Sequence, residues 1–204
     1  MTKRQEAALE TKRKLLEAGK NIISEKGLTN TSIEEITKAC GVSNGTFYTY
    51  FKRKEDILYA VSYEVFQEIF ENAKHYKGTF EERFIFYMIN FSRCIEESSL
   101  KLCQEWIKNT VNPELVDNEQ DRNKIFQDIK TLEQLIEQGM EQNELSADTP
   151  KEMLARTITD ILYGEMLCWC MTNGAYSFEQ RTKEFCDNYL DGMIKPYLLD
   201  GKDM

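Results

Sequence analysis

Residues 31–54 read TSIEEITKACGVSNGTFYTYFKRK. Ile33, Ile36 and Ala39 give the first part an apolar helical face, and that helix ends at Cys40-Gly41. Two capping boxes fit its start, Thr31 with Glu34 and Ser32 with Glu35. After a turn at Gly41-Val42, Ser43 is placed to cap a second helix that runs to about Phe51. Two short helices around a glycine turn make a helix-turn-helix. The second helix opens on small polar residues, Ser43-Asn44-Gly45-Thr46, continues with the phenols Tyr48 and Tyr50, and is followed by Lys52 and Lys54. Polar groups at a helix start, flanked by donors and cations, suit a helix that enters the DNA major groove while its surroundings hold phosphates.

Upstream, Leu9, Leu15, Leu16, Ala18, Gly19, Ile22 and Ile23 recur at helical spacing as far as a stop at Gly27. Downstream, a helix starting near Lys54 carries Ile57, Leu58, Val61, Val65, Phe66, Ile69 and Phe70. The remainder alternates apolar helical stripes with polar breaks. These stripes run from Phe80 to Ile95, from Leu100 to Ile107 before an Asn112-Pro113 break, and through Ile125, Ile129, Leu132, Ile136 and Met140. Pro150 is placed to open a further helix, and a last one runs from Phe178 to Ile194. No strand-like alternation persists. The expected fold is all-α with about nine helices: an N-terminal three-helix head, residues 1–54, and a larger helical body, residues 55–204.

The 204 residues, 41% hydrophobic and 30% charged, are enough for a sizeable globular core. No run approaches the roughly 18–20 apolar residues of a membrane span. The N-terminus MTKRQEAALETKRK lacks the apolar stretch of a secretory signal, so a cytoplasmic protein with no membrane partner is expected. In a reducing cytosol the six cysteines read as small core residues. Cys168 and Cys170 point about 200° apart on a helix, and the single His75 completes no cluster, so no metal and no cofactor is expected. With no nucleophile elbow, phosphate loop or histidine pair, an enzyme is not expected either. The net charge of −9 argues against nucleic acid until it is divided. Residues 1–60 carry 11 Lys/Arg against 8 Asp/Glu, a balance of +3, and the rest carries 15 against 27, a balance of −12. A basic head on an acidic body confines phosphate affinity to one end of the chain.

On these residues, the stretch from Thr11 to Leu58 resembles the DNA-binding domain of the tetracycline-repressor (TetR) family. The family's first helix ends in a glycine, here Gly27, and its T-[TS]-hydrophobic element matches Thr31-Ser32-Ile33. Its A-x-G-V-S-x-G-T-hydrophobic-Y-x-[YH]-F-x-x-K run matches Ala39 through Lys54. Gly139 to Leu145, followed by Asp148 and Pro150, resembles a weaker family element between two body helices. Gly19 and Thr37 depart from the pattern, standing where the family usually has alanine. The resemblance implies a sequence-specific DNA-binding transcriptional regulator. Asn44 and Thr49 resemble base-reading positions, where asparagine pairs bidentately with adenine and a threonine methyl meets a thymine methyl. Thr46, Tyr48 and Tyr50 resemble phosphate-contact positions, Lys54 the phosphate-binding lysine, and Ser32 the N-terminal contact of the helix before the turn. Ser43 and Gly45 complete the helix opening, Gly45 allowing backbone and bases to approach closely, and Lys52 adds a cation. Ile36, Val42, Phe47 and Phe51 are expected in the head's own core.

Members of that family are typically homodimers paired through their last two long helices. The resemblance therefore implies a homodimeric repressor on double-stranded DNA with a palindromic operator, released by an unidentified small-molecule inducer. A transcriptional activator or a ligand-independent regulator of the same fold would use the same DNA contacts. The helix around 154–172 is apolar on most sides, which fits burial against its own core and against a partner subunit. The implied ligand pocket is expected to be lined by Phe84, Tyr87, Met88, Phe91, Cys103, Trp106, Ile107, Phe126, Glu165 and Trp169. Such a lining suits an apolar or aromatic molecule. Glu165, about 20° around the helix from Leu154, is a carboxylate within the apolar stripe. It needs a cationic side chain, a hydroxyl or a cationic ligand, so an internal salt bridge and a ligand contact both remain open.

Overall fold

The computed structural model describes residues 2–111 and 124–199, except for the side chains of Glu64 and Asn109. The expected Asn112-Pro113 break lies outside the described residues. Helix starts follow the capping residues. Thr2 forms a capping box with Gln5 and opens α1 (Lys3–Lys26). Of the two boxes that fit the next start, the one between Ser32 and Glu35 forms, and α2 spans Ile33–Cys40. Thr31 is buried instead, its hydroxyl donating to the Gly27 carbonyl at 2.8 Å. Gly41 ends α2 in the left-handed conformation, φ 67°, where a side chain would be strained. Ser43 caps α3 (Asn44–Tyr50) by accepting from the Thr46 amide at 3.2 Å. The Asp56 carboxylate accepts from the Lys52 and Arg53 amides at 2.8 and 2.9 Å, and α4 begins there, spanning Asp56–Lys74.

The chain continues as α5 (Phe80–Ser98), α6 (Leu100–Thr110), α7 (Lys124–Glu141), α8 (Lys151–Met171) and α9 (Phe178–Phe185). A π segment, Cys186–Leu190, carries α9 on into Asp191–Ile194 and a 3-10 turn, Lys195–Tyr197. The described residues form no sheet; one isolated antiparallel bridge joins Leu145 to Leu198. The fold is all-α with an N-terminal helix-turn-helix, as expected.

Packing divides the described residues into two units, 2–65 with 98–111, and 66–97 with 124–199. In the first, Leu15, Ile23, Ile36 and Phe47 are wholly buried and Phe51, Ile57, Leu58 and Leu102 complete the core. Helix α6, through Leu102 and Trp106, thus packs with the helix-turn-helix, a grouping that sequence spacing does not reveal. The second unit buries Phe80, Phe84, Tyr87, Met88 and Phe91 of α5, Leu132, Leu135 and Ile136 of α7, and Ile158, Leu162, Met166 and Trp169 of α8. Each such side chain contributes roughly 1.5–3 kcal/mol by leaving water.

Helix α7 is rotated from the stripe expected of it. Its buried row is Lys124, Asp128, Leu132, Leu135, Ile136 and Gly139, while Ile125, Ile129 and Met140 are half-buried. A lysine and an aspartate four residues apart neutralise each other and so occupy positions a hydrophobic reading assigns to isoleucines. Their ion pair leaves the two side chains only 7% and 8% exposed. The Tyr163 hydroxyl donates to Asp128 Oδ2 at 2.6 Å, and the Lys124 ammonium stands 4.7 Å from the centroid of the Phe66 ring. Burial pulls the Lys124 pKa down and, reinforced by the Asp128 charge, pushes the Tyr87 and Tyr163 phenols up.

Candidate nucleic-acid interface

Helix α3 has two unlike faces. Phe47 is wholly buried and Phe51 nearly so, anchoring one side to Leu15, Ile23 and Ile36. Ser43, Asn44, Gly45, Tyr48 and Thr49 are exposed on the other, Tyr48 at 59% although it is aromatic. Thr46 and Tyr50 are half-buried at the edges, and Val42 packs beneath the turn as expected. The Ser43 and Thr46 hydroxyls lie 3.0 Å apart at the helix start, and the Thr49 hydroxyl donates to the Gly45 carbonyl at 3.1 Å. A Cβ added at Gly45 would meet nothing closer than the Ser43 hydroxyl at 3.6 Å. The protein's own packing therefore does not require glycine there, and the backbone at this point is open to the outside.

The flanks of this face are held by charges. Ser32 N donates to Glu35 Oε2 at 2.9 Å and Glu35 N donates to Ser32 Oγ at 3.2 Å, while Lys26 pairs with the same carboxylate. Lys52 is exposed beside α3. Lys54 is half-buried, and its ammonium donates to the Leu28 carbonyl at 2.6 Å and the Thr31 carbonyl at 2.8 Å, fastening the turn between α1 and α2. An ammonium has three donors, so these two bonds use all but one of them.

The Lys26 ammonium, with the Ser32 amide and hydroxyl, holds the Glu35 carboxyl down at about 2, against an ordinary 4.5. A carboxyl depressed by folding stabilises the folded state above its unfolded pKa, and that contribution is lost as pH falls through the folded one. The head should therefore lose stability between pH 4.5 and 2, and Glu35→Gln should flatten that dependence. Denaturant midpoints across the window check it; an unchanged slope in the variant would assign the acid sensitivity to other carboxylates.

The residues expected around a ligand are divided. Cys103, Trp106 and Ile107 lie on α6, in the unit that holds the helix-turn-helix. Phe84, Tyr87, Met88, Phe91 and Trp169 are buried together in the second unit. Phe126 departs from the expectation: it is 59% exposed, because the rotation that buries Lys124 and Asp128 turns it to solvent. Glu165 is 26% exposed, and its Oε2 lies 3.4 Å from Arg181 Nε at an angle that makes an ion pair rather than a hydrogen bond. Arg181 in turn stands 5.0 Å from the Tyr176 ring centroid. The Lys124–Asp128–Tyr163 cluster was missed by hydrophobic periodicity; the signal available was the i, i+4 spacing that puts Lys124 and Asp128 in register with Leu132.

A polar, aromatic-edged α3 in a capped helix-turn-helix, with helices for the other main elements among the described residues, has the character of a DNA-binding regulator. The sequence model for the bacterial regulatory proteins of the tetR family matches residues 15–61. The fatty acid metabolism regulator protein of Bacillus subtilis is 24% identical, the match covering 79% of this chain and 84% of that protein. The HTH-type transcriptional regulator AcrR of Shigella flexneri is also 24% identical, over 97% of this chain and 94% of that protein. The crystal structure of the transcriptional regulator FadR from Bacillus subtilis, in complex with stearoyl-CoA, superposes with a TM-score of 0.65 at 21% identity. That match covers 86% of this chain and 95% of the other. Residues 15–61 thus match the DNA-binding part of the tetR family, and the chain is a DNA-binding transcriptional regulator. Among the described residues, no helix is long and apolar enough to cross a membrane.

Proposed function

We propose that the protein is a cytoplasmic homodimeric repressor that binds a palindromic operator through α3 and leaves it when a small apolar or aromatic molecule occupies the body. Residues 1–54 act as the reading head and residues 55–204 as the part that dimerises and takes the ligand. The observation that carries the reading is the α3 surface, where Asn44, Gly45, Tyr48 and Thr49 are exposed, Tyr48 at 59% although it is aromatic. In this reading Asn44 and Thr49 contact base edges, and Ser32, Ser43, Thr46, Tyr48, Tyr50, Lys52 and Lys54 supply donors for phosphates.

Dimerisation is supported by apolar side chains left in water on the last helices. Met153, Leu167 and Met171 of α8 are 60%, 44% and 76% exposed, and Tyr189 is 66% exposed. Gly164 and Gly192 lie on the same outward faces with open space above them, and Cys168 is exposed there rather than buried as expected of a core cysteine. A second copy covering this surface about a two-fold axis would bury it. The relative solved with stearoyl-CoA supports a ligand with a large apolar part for this chain as well. Ligand must favour the DNA-incompetent state, and a tenfold loss of operator affinity needs about 1.4 kcal/mol of preference.

Selection of random duplex DNA by the full-length protein at about 150 mM salt tests the reading. The expected product is an enriched palindrome. Asn44→Ala should relax the sequence preference, whereas Tyr48→Phe should weaken all duplexes alike. Recovery of unenriched DNA, or of none at low salt, would overturn the assignment.

A further inference from the structure

Thr37 stands where the family pattern usually has alanine, and it is only 2% exposed. Its hydroxyl lies 3.0 and 3.1 Å from the Ile33 and Glu34 carbonyls of its own helix, and 2.7 Å from Oδ1 of Asn44, the first residue of α3. Threonine in a helix commonly donates to the carbonyl four residues back. Here the shortest contact instead crosses the turn to the next helix. A hydroxyl has one proton to give, and an alanine has none. Asn44 is itself exposed, so without this contact its carboxamide would turn freely in water.

We infer that Thr37 holds the Asn44 carboxamide with its oxygen turned inward, so that the amide presents its two N–H donors to the major groove and selects a base edge built of acceptors. This rests on the reading of Asn44 as a base-contacting residue. Guanine offers N7 and O6 and thymine offers O4, whereas cytosine presents a donor and adenine sets its N6 donor beside N7. An unrestrained asparagine pairs with adenine through both ends of its amide. The oxygen keeps a second lone pair, but turned inward to Thr37 it does not face the adenine N6 amine, and guanine or thymine is favoured. Thr37 is a positioning residue: it never reaches DNA, yet it changes the base that sequence alone would assign to Asn44.

The test is random-duplex selection with full-length wild type, Asn44→Ala, Thr37→Val and Thr37→Ser. Asn44→Ala identifies the position it reads in each half-site. There, wild type should enrich guanine or thymine over adenine and cytosine by roughly five- to tenfold. Thr37→Val keeps the shape without the hydroxyl and should reduce that preference below about twofold while leaving other positions alone. Thr37→Ser should restore it. Thr37→Ala, a good helix former, replaces the valine variant if that one disturbs α2. Enrichment of adenine or cytosine in wild type, or an unchanged preference in Thr37→Val, overturns the inference and leaves Asn44 a base reader. Uniform weakening at every position makes Thr37 merely structural and overturns it equally. If Asn44→Ala alters no position, the base-reading role fails and the inference falls with it.

Discussion

Asp128→Ala should destabilise the folded chain by about 3–5 kcal/mol, because it strands a buried ammonium. Lys124 is 7% exposed and Asp128 is its ion-pair partner; removing the carboxylate also takes the acceptor from the Tyr163 hydroxyl. The loss has a ceiling. Lys124 can shed its proton, which at pH 7 costs about 4.6 kcal/mol for an ammonium of ordinary pKa, and burial has already drawn its pKa below 10.5. The sign of the pH dependence follows. In the variant the unfolded chain binds a proton that the folded chain holds weakly, so stability should rise with pH toward 10.5 and level off above it. Lys124→Met combined with Asp128→Leu removes both charges and should return the chain to within about 1–2 kcal/mol of wild type. Urea denaturation of the three proteins at neutral and alkaline pH measures this. A single variant within about 1 kcal/mol of wild type would mean that water reaches Lys124.

Lys54→Ala should cost about 2–4 kcal/mol of stability and also weaken DNA binding without regard to sequence. Hydrogen bonds from a charged donor contribute about 1.5–3 kcal/mol each, and Lys54 makes two, to the carbonyls of Leu28 and Thr31. Truncation leaves both carbonyls without that donor in the turn that aims α2. Lys52→Ala, an exposed neighbour, should change stability by no more than about 0.5 kcal/mol while also weakening DNA binding. Lys54→Arg should not restore the wild type, since a planar guanidinium does not fit two carbonyls arranged for an ammonium. Denaturation midpoints and DNA affinity measured side by side separate the two roles. Loss of affinity with stability unchanged would reduce Lys54 to a phosphate contact; loss of stability with an unchanged salt slope would make it a clasp alone.

The contrast between these lysines shows where sequence reading stops. The Gly-Val-Ser-Asn-Gly-Thr run, its flanking apolar spacing and the cap at Ser43 identify the helix-turn-helix without coordinates, and the head's core forms from Ile36, Phe47 and Phe51 as expected. The two capping boxes fitting the start of α2 could not be told apart in that way. Thr31 turns to Gly27 because its side chain is buried, a fact of packing. In the body, two overlapping rows on α7 satisfy helical spacing equally. The row that faces inward contains Lys124 and Asp128 because Tyr163 is there to complete their hydrogen bonding.

Helix starts, stops and amphipathic stripes depend on residues within one turn of each other, so they are written locally in this chain and are legible there. Where an ammonium ends, which way a carboxamide turns and which of two stripes is buried depend on partners far along the chain. Lys54 reaches Leu28 across 26 residues, and Tyr163 reaches Asp128 across 35. Such pairings form only when helices pack, since only then does desolvation force each buried charge or hydroxyl to find its complement. Local chemistry therefore specified a helical DNA-binding regulator, and packing alone settled which of its charges are spent inside the fold and which stay exposed.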